Sequence, residues 1–121
     1  MLYHASVFLP RKIRGCVPKD TKSVLYSFHA QSAAKTDKYG KIPLHPWYNF
    51  ADGEIIEVEY YERTRHVAKL VFRFKHDDRL DIVIALSPTG DKSTWFARTV
   101  WFNEKNDSHV TLDPTPYAKA S

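Results

Sequence analysis

Two histidines and an arginine carry the most specific chemistry in the chain. His29 stands two residues after Ser27, in a segment whose alanines recur at helical spacing. There the positive end of a helix dipole favours the neutral imidazole, a form able to act as a general base. His109 and Thr111 sit two apart on an extended segment, which presents both on one side. Arg98 is the charge in a run that otherwise reads as an apolar strand. A base for a ribose 2′-hydroxyl, an acid for the leaving 5′-oxygen and a cation for the pentavalent phosphate are what metal-independent RNA cleavage requires. His29 and His109 supply the imidazoles, and Arg98 supplies the cation. Each has a plainer reading: His29 as a capping or packing residue, Arg98 as one half of an internal ion pair with Asp37, Asp81 or Asp113.

Other chemistries find less support. The histidines at 4, 29, 45, 66, 76 and 109 show neither an i, i+4 pair nor a two-residue alternation, so no metal and no cofactor is expected. Four glycines leave no Gly-rich nucleotide loop, and no Gly-flanked nucleophile elbow exists.

The positioning elements follow from periodicity. Residues 54–62, 67–75, 79–86 and 94–102 read as strands; Ile56, Val58 and Tyr60 alternate with Glu57 and Glu59, and Leu80, Ile82, Ile84 and Leu86 share one face of the third. On the second strand Ala68, Leu70, Phe72 and Phe74 oppose a basic face of Lys69, Arg73 and Lys75. On the fourth, strict alternation puts Arg98 with Phe96, Val100 and Phe102, and Trp95 with Thr99, Trp101 and Asn103. Short loops between these strands predict an antiparallel meander. Ser27 to Gly40 predicts one helix, capped by Ser27, stopped by Gly40, with Ala30, Ala33 and Ala34 towards the sheet. The expected fold class is α+β: one main helix packed on a four-stranded antiparallel meander sheet, a single compact domain. Residues 1–22 are expected to be an N-terminal extension or edge strand, with 23–121 forming the α+β domain. The proline-punctuated aromatic run from Ile42 to Phe50 predicts an ordered loop on the core.

Composition sets the outer bounds. The 121 residues allow one domain, and 43% hydrophobic with 26% charged residues is globular composition. The net charge of +4 is uneven: residues 1–41 hold eight basic side chains against Asp20 and Asp37, while the rest of the chain is slightly acidic. A polyanion would therefore meet the N-terminal third and selected cations of the strands. One cysteine, Cys16, excludes an internal disulfide and suits a reducing cytoplasm. No apolar run approaches the ~20 residues that span a bilayer, so no membrane partner is expected.

Two motif blocks stand out: Tyr26-Ser27-x-His29-Ala30-x-x-Ala33-x-x-Asp37-Lys38-Tyr39-Gly40, and Arg98-Thr99-Val100-Trp101-x-Asn103-x-x-x-Asp107-x-His109-x-Thr111-Leu112-Asp113-x-x-x-Tyr117. Together they resemble a group of small uncharacterised bacterial, plasmid and phage proteins, over about residues 24–117. Their layout, a helix opening with His-Ala followed by a four-stranded sheet, is similar to the barnase, EndoU, colicin-nuclease and RelE-type toxins that cleave RNA without metal. The likeness implies catalytic roles for His29, Arg98, His109, Thr111 and Tyr117. It implies RNA or partner contacts for Asp37, Lys38, Tyr39 and Asn103, to which the sheet face adds Lys69, Arg73, Lys75, Trp95 and Trp101. Lys38 departs from the arginine the pattern carries, and residues 1–22 and the loop around Trp47 lie outside it. The expected function is a metal-independent, toxin-type endoribonuclease domain acting on or binding RNA in the cytoplasm of a bacterial host, with a possible cognate antidote. The alternative is a non-catalytic phage or plasmid protein that binds a host protein or nucleic acid through an aromatic, basic sheet face.

Overall fold

The computed structural model describes residues 2–5, 9 and 11–107. Its elements are β1 (Leu2–Ala5), α1 (Arg11–Arg14), β2 (Thr21–Tyr26), α2 (Phe28–Thr36), β3 (Trp47–Asn49), a 3-10 turn at Phe50–Asp52, β4 (Gly53–Tyr61), β5 (Val67–Lys75), β6 (Leu80–Pro88) and β7 (Thr94–Glu104). All seven strands join one sheet in the order β1-β4-β5-β6-β7-β2-β3. This corrects the expected fold class. The sheet is mixed and curled into a half-barrel, with two short helices, and not a four-stranded antiparallel meander under one main helix. The strands β4 to β7 do pair antiparallel in chain order. However, β2 adds to β7 in parallel, with Ser23 to Tyr26 opposite Thr94 to Ala97. β3 then closes on β2, and β1 on β4, both antiparallel. The short-loop rule reads only neighbours in sequence, and β2 and β7 are far apart in the chain.

The core lies on one face of the sheet. Leu70, Phe72 and Phe74 of β5 meet Ile82, Ile84 and Leu86 of β6 and Ala97, Val100 and Phe102 of β7. Ile13 of α1 and Ala34 of α2 close over them, joined by Ile42, Tyr48 and Phe50 from the segment between α2 and β4. Phe50 packs edge-on against Phe72 with ring centres 4.8 Å apart, one of the preferred aromatic geometries. A smaller apolar group of Val71, Val83 and Ala85, flanked by Ile56 and Trp101, occupies the opposite face.

The helix is shorter than the sequence predicts. Asp37 leaves helical geometry at ψ 142°, and Gly40, at φ +118°, ends the turn that follows. The Asp37 carboxylate explains the early stop. It accepts the Tyr39 amide at 3.0 Å and the Phe102 amide at 3.2 Å, binding the helix end to β7. At the other end, Ser27 N–H donates to the Ala97 carbonyl at 3.0 Å. β2 pairs with β7 only as far as Ala97, so α2 takes over along the strand edge from residue 98 to 102. An edge left bare invites pairing with another chain, and the helix covers it.

β7 also departs from strict alternation. Ala85 of β6 opposes Thr99, while the next residue, Leu86, opposes Ala97, so Arg98 is the extra residue of a bulge. A bulge shifts the face of everything before it. Phe96 therefore leaves the Val100–Phe102 face, and Trp95 joins it in the core at 7% exposure. The expected sharing of one face by Arg98, Phe96, Val100 and Phe102 does not occur; Val100 and Phe102 are buried, and Arg98 is exposed.

Candidate functional site

Ser27 fixes the start of α2 against the bulge. Its hydroxyl accepts the Ala30 amide at 2.9 Å, as an N-cap does, and donates to the Arg98 carbonyl at 2.8 Å. This tie sets His29, in the first helical turn, beside Arg98. Both line one cleft of about 490 Å³ together with Ser27, Lys69, Ala85, Phe96 and Thr99. His29 and Arg98 are exposed, so the imidazole and the guanidinium are open to a ligand.

Of the large apolar side chains, Phe96 lines this cleft, and two more are exposed on the neighbouring elements. Phe96 is 37% exposed, and its register partner Leu25 on β2 is 57% exposed. Phe28, the first residue of α2, is 90% exposed. The sequence reading passed over all three. Phe28 was legible: Ala30 and Ala34 mark the buried helix face, and residue 28 points nearly opposite to it. Phe96 and Leu25 depend on the bulge and on the parallel pairing, neither of which periodicity reveals.

Several predicted cations of the sheet are engaged within the fold. Lys69 pairs with Glu57 at 3.0 Å and Glu59 at 3.1 Å, all three partly or wholly buried. Burial alone would lower the Lys69 pKa, but the two carboxylates outweigh it and the ammonium is held above its ordinary value. Arg73 donates to Asp81 at 2.6 Å and to the carbonyls of Glu104 and Asp107 at 2.8 and 3.1 Å, tying β5 to the end of β7. Lys105 meets the other oxygen of Asp81 at 2.6 Å. Burial would raise the Asp81 carboxyl, and Lys105 and Arg73 reverse this, holding it below the usual range. Lys75 is exposed, 4.0 Å from Asp78.

The remaining candidates fall elsewhere. Asp37, Lys38, Tyr39, Trp101 and Asn103 line a second depression of about 450 Å³ at the far end of α2. There Lys38 and Arg79 lie over the Tyr39 ring at 5.0 and 5.4 Å, and the Asn103 amide donates to the Asp107 carbonyl at 2.8 Å. Trp95 belongs to the core. His109, Thr111 and Tyr117 lie outside the described residues, as does Asp113, one of the three ion-pair partners considered for Arg98. The other two are committed: Asp37 to backbone amides and Asp81 to Arg73 and Lys105.

Among the described residues no group of three or more His, Cys, Asp and Glu side chains is placed to hold a metal ion. Among the same residues no helix is long and apolar enough to cross a membrane. Compared with known proteins, the chain matches no family model, no curated protein and no solved structure, so the chemistry of its site stands on its own geometry.

Proposed function

We propose that the protein acts on single-stranded RNA, holding a phosphodiester in the His29–Arg98 cleft and cleaving it without metal. One observation carries this: the Ser27 tie brings an exposed imidazole and an exposed guanidinium into one cleft lined by the Phe96 ring. Arg98 offers planar donors to the non-bridging phosphate oxygens. His29 takes the proton of the 2′-hydroxyl as its oxygen attacks phosphorus and the bond to the 5′-oxygen breaks. The acid that protonates that leaving oxygen is assigned to His109 by the resemblance alone, and this residue lies outside the described ones. Phe96 and Phe28 offer flat faces on which neighbouring bases stack, an interaction worth about 1–3 kcal/mol per base. The toxin-type layout lends no support, since the mixed sheet differs from a four-stranded meander and fold alone does not fix function. The proposed setting is the cytoplasm of a bacterial host.

The test is incubation of the protein with a single-stranded RNA oligomer in excess chelator. Cleavage should leave a 2′,3′-cyclic phosphate and a 5′-hydroxyl, and a 2′-deoxy substitution at the scissile position should block it. Absence of cleavage with retained RNA binding would reduce the protein to an RNA-binding domain.

One observation favours a second reading. Leu25 cannot stack on a base as a ring does, yet it is well exposed beside Phe96. A patch of Leu25, Phe28 and Phe96 suits the apolar anchor of a protein partner, such as a host protein or an antidote. Under that reading Phe28→Ala and Phe96→Ala abolish partner binding while Arg98→Ala leaves it nearly unchanged.

A further inference from the structure

A cleft of about 720 Å³ shares no lining residue with the His29–Arg98 cleft and falls within the size of small-molecule sites, roughly 300–1,000 Å³. It opens where the segment from α1 to β2 meets the β4–β5 and β6–β7 turns. Its apolar lining comes from Val17, Pro18, Val67, Pro88 and the buried Trp95. Five cations surround it: Lys12, Lys19, Lys22, Arg65 and Lys92, brought together from three separate parts of the chain. The uneven charge of the sequence thus becomes a local concentration of positive charge.

Two acidic residues, Asp20 and Asp91, line the cleft as well and offset two of the five charges. Asp20 pairs with Lys22 at 3.1 Å, the single ion pair that any of the five cations makes among the described residues. Asp91 turns its carboxylate into its own loop, accepting the Ser93 amide at 2.9 Å and the Ser93 hydroxyl at 2.8 Å. Arg65 holds φ +61°, a left-handed conformation unfavourable for a residue with a Cβ. Hydrogen bonds from Arg65 N–H to the Tyr61 carbonyl at 2.7 Å and from Tyr61 N–H to the His66 carbonyl at 2.9 Å keep it there. The Arg65 guanidinium lies 5.8 Å from the centre of the Tyr60 ring, and Arg65 lines the cleft.

We propose that this cleft binds a nucleotide through its phosphate monoester, with the base against the apolar lining. Four lysines and one arginine are all donors to phosphate, and a phosphate monoester puts up to two negative charges and three acceptor oxygens on a single group. The cations ring a single concavity and so match one multiply charged group better than a spread-out acidic peptide. The site stands independently of the His29–Arg98 cleft.

The test titrates the full-length protein at low salt with adenosine 5′-monophosphate, inorganic phosphate, adenosine and a tetraglutamate peptide, using calorimetry. The monophosphate should bind at least tenfold more tightly than each of the other three. The double variant Lys12→Gln, Lys92→Gln changes only exposed side chains and should weaken that binding tenfold or more; Lys35→Gln, on exposed α2 surface, should leave it unchanged. A 5′-phosphorylated hexanucleotide identifies the source: affinity at least tenfold above the monophosphate marks the end of an RNA, and a smaller difference marks a free nucleotide. Equal binding of phosphate and the monophosphate, preference for tetraglutamate, or indifference to the double variant would each overturn the proposal.

Discussion

The hydroxyl of Ser27 donates a 2.8 Å hydrogen bond to the carbonyl of Arg98, 71 residues later in the chain. The same oxygen caps α2 by accepting the Ala30 amide. One side chain therefore sets both the start of the helix and its position on the β7 bulge. Ser27→Ala should cost about 1–2 kcal/mol, the range for a lost N-cap. Ser27→Thr should recover most of that, because threonine keeps the hydroxyl. Urea denaturation of the three proteins checks this, and a loss shared equally by both variants would rule the tie out as the cause.

Asp37 holds the other end of the same helix. Its carboxylate accepts two backbone amides, one of them from Phe102 on the strand edge that α2 covers. Asp37→Ala should cost about 1–3 kcal/mol, the desolvation penalty of donors left unpaired. It should also promote concentration-dependent association, since the uncovered edge can pair with another chain. Sedimentation at two protein concentrations reads the second effect separately from stability.

Lys69 tests whether the basic sheet face serves the fold or a ligand. The ammonium lies within 3.1 Å of both Glu57 and Glu59, whose carboxylates are buried. Lys69→Met should destabilise by about 3–5 kcal/mol, as expected when one partner of a buried pair is removed. Lys69 lines the His29–Arg98 cleft with its ammonium held by the two carboxylates, so RNA affinity of the protein that remains folded should fall less than it does for Arg98→Ala. A large affinity loss with unchanged stability would return Lys69 to the ligand-binding face.

The strands β4 to β7 were legible because Ile82, Ile84 and Leu86, or Leu70, Phe72 and Phe74, keep a period of two over a long run. β2 was not, since Thr21–Tyr26 is short and its partner β7 is distant in sequence. The bulge at Arg98 had the largest consequence. Counting back by twos from Trp101 put Trp95 on the outer face, yet the extra residue turns Trp95 into the core and Phe96 outward. His29 beside Arg98 was legible in residue type, from the cap at Ser27 and a lone charge on an apolar strand. That Lys69 and Arg73 face carboxylates was not, because cross-strand register decides it.

Asp81 gives a pH dependence with a definite sign. Lys105 and Arg73 hold its carboxyl below the usual range, so the folded state loses that proton more readily than the unfolded chain. The stabilisation is fully present above the unfolded value of about 3.9 and is lost as pH falls through the lower folded value. Stability of the native protein should therefore drop below about pH 4. Asp81→Asn should be less stable near neutrality and show a flatter decline over the same acid window. Thermal unfolding at pH 2.5, 4 and 7 distinguishes the two profiles, and parallel profiles would remove Asp81 from the acid response.

The central claim is that His29 and Arg98 act together on a phosphodiester. The most direct measurement is the rate of single-stranded RNA cleavage in excess chelator by His29→Ala and Arg98→Ala, with circular dichroism confirming the fold. Both side chains are exposed, so stability should change by less than about 0.5 kcal/mol. The rate should fall about 10²–10⁴-fold for His29→Ala, as for loss of a general base, and by a comparable factor for Arg98→Ala. A variant of either residue that cleaves at the rate of the native protein would contradict the claim.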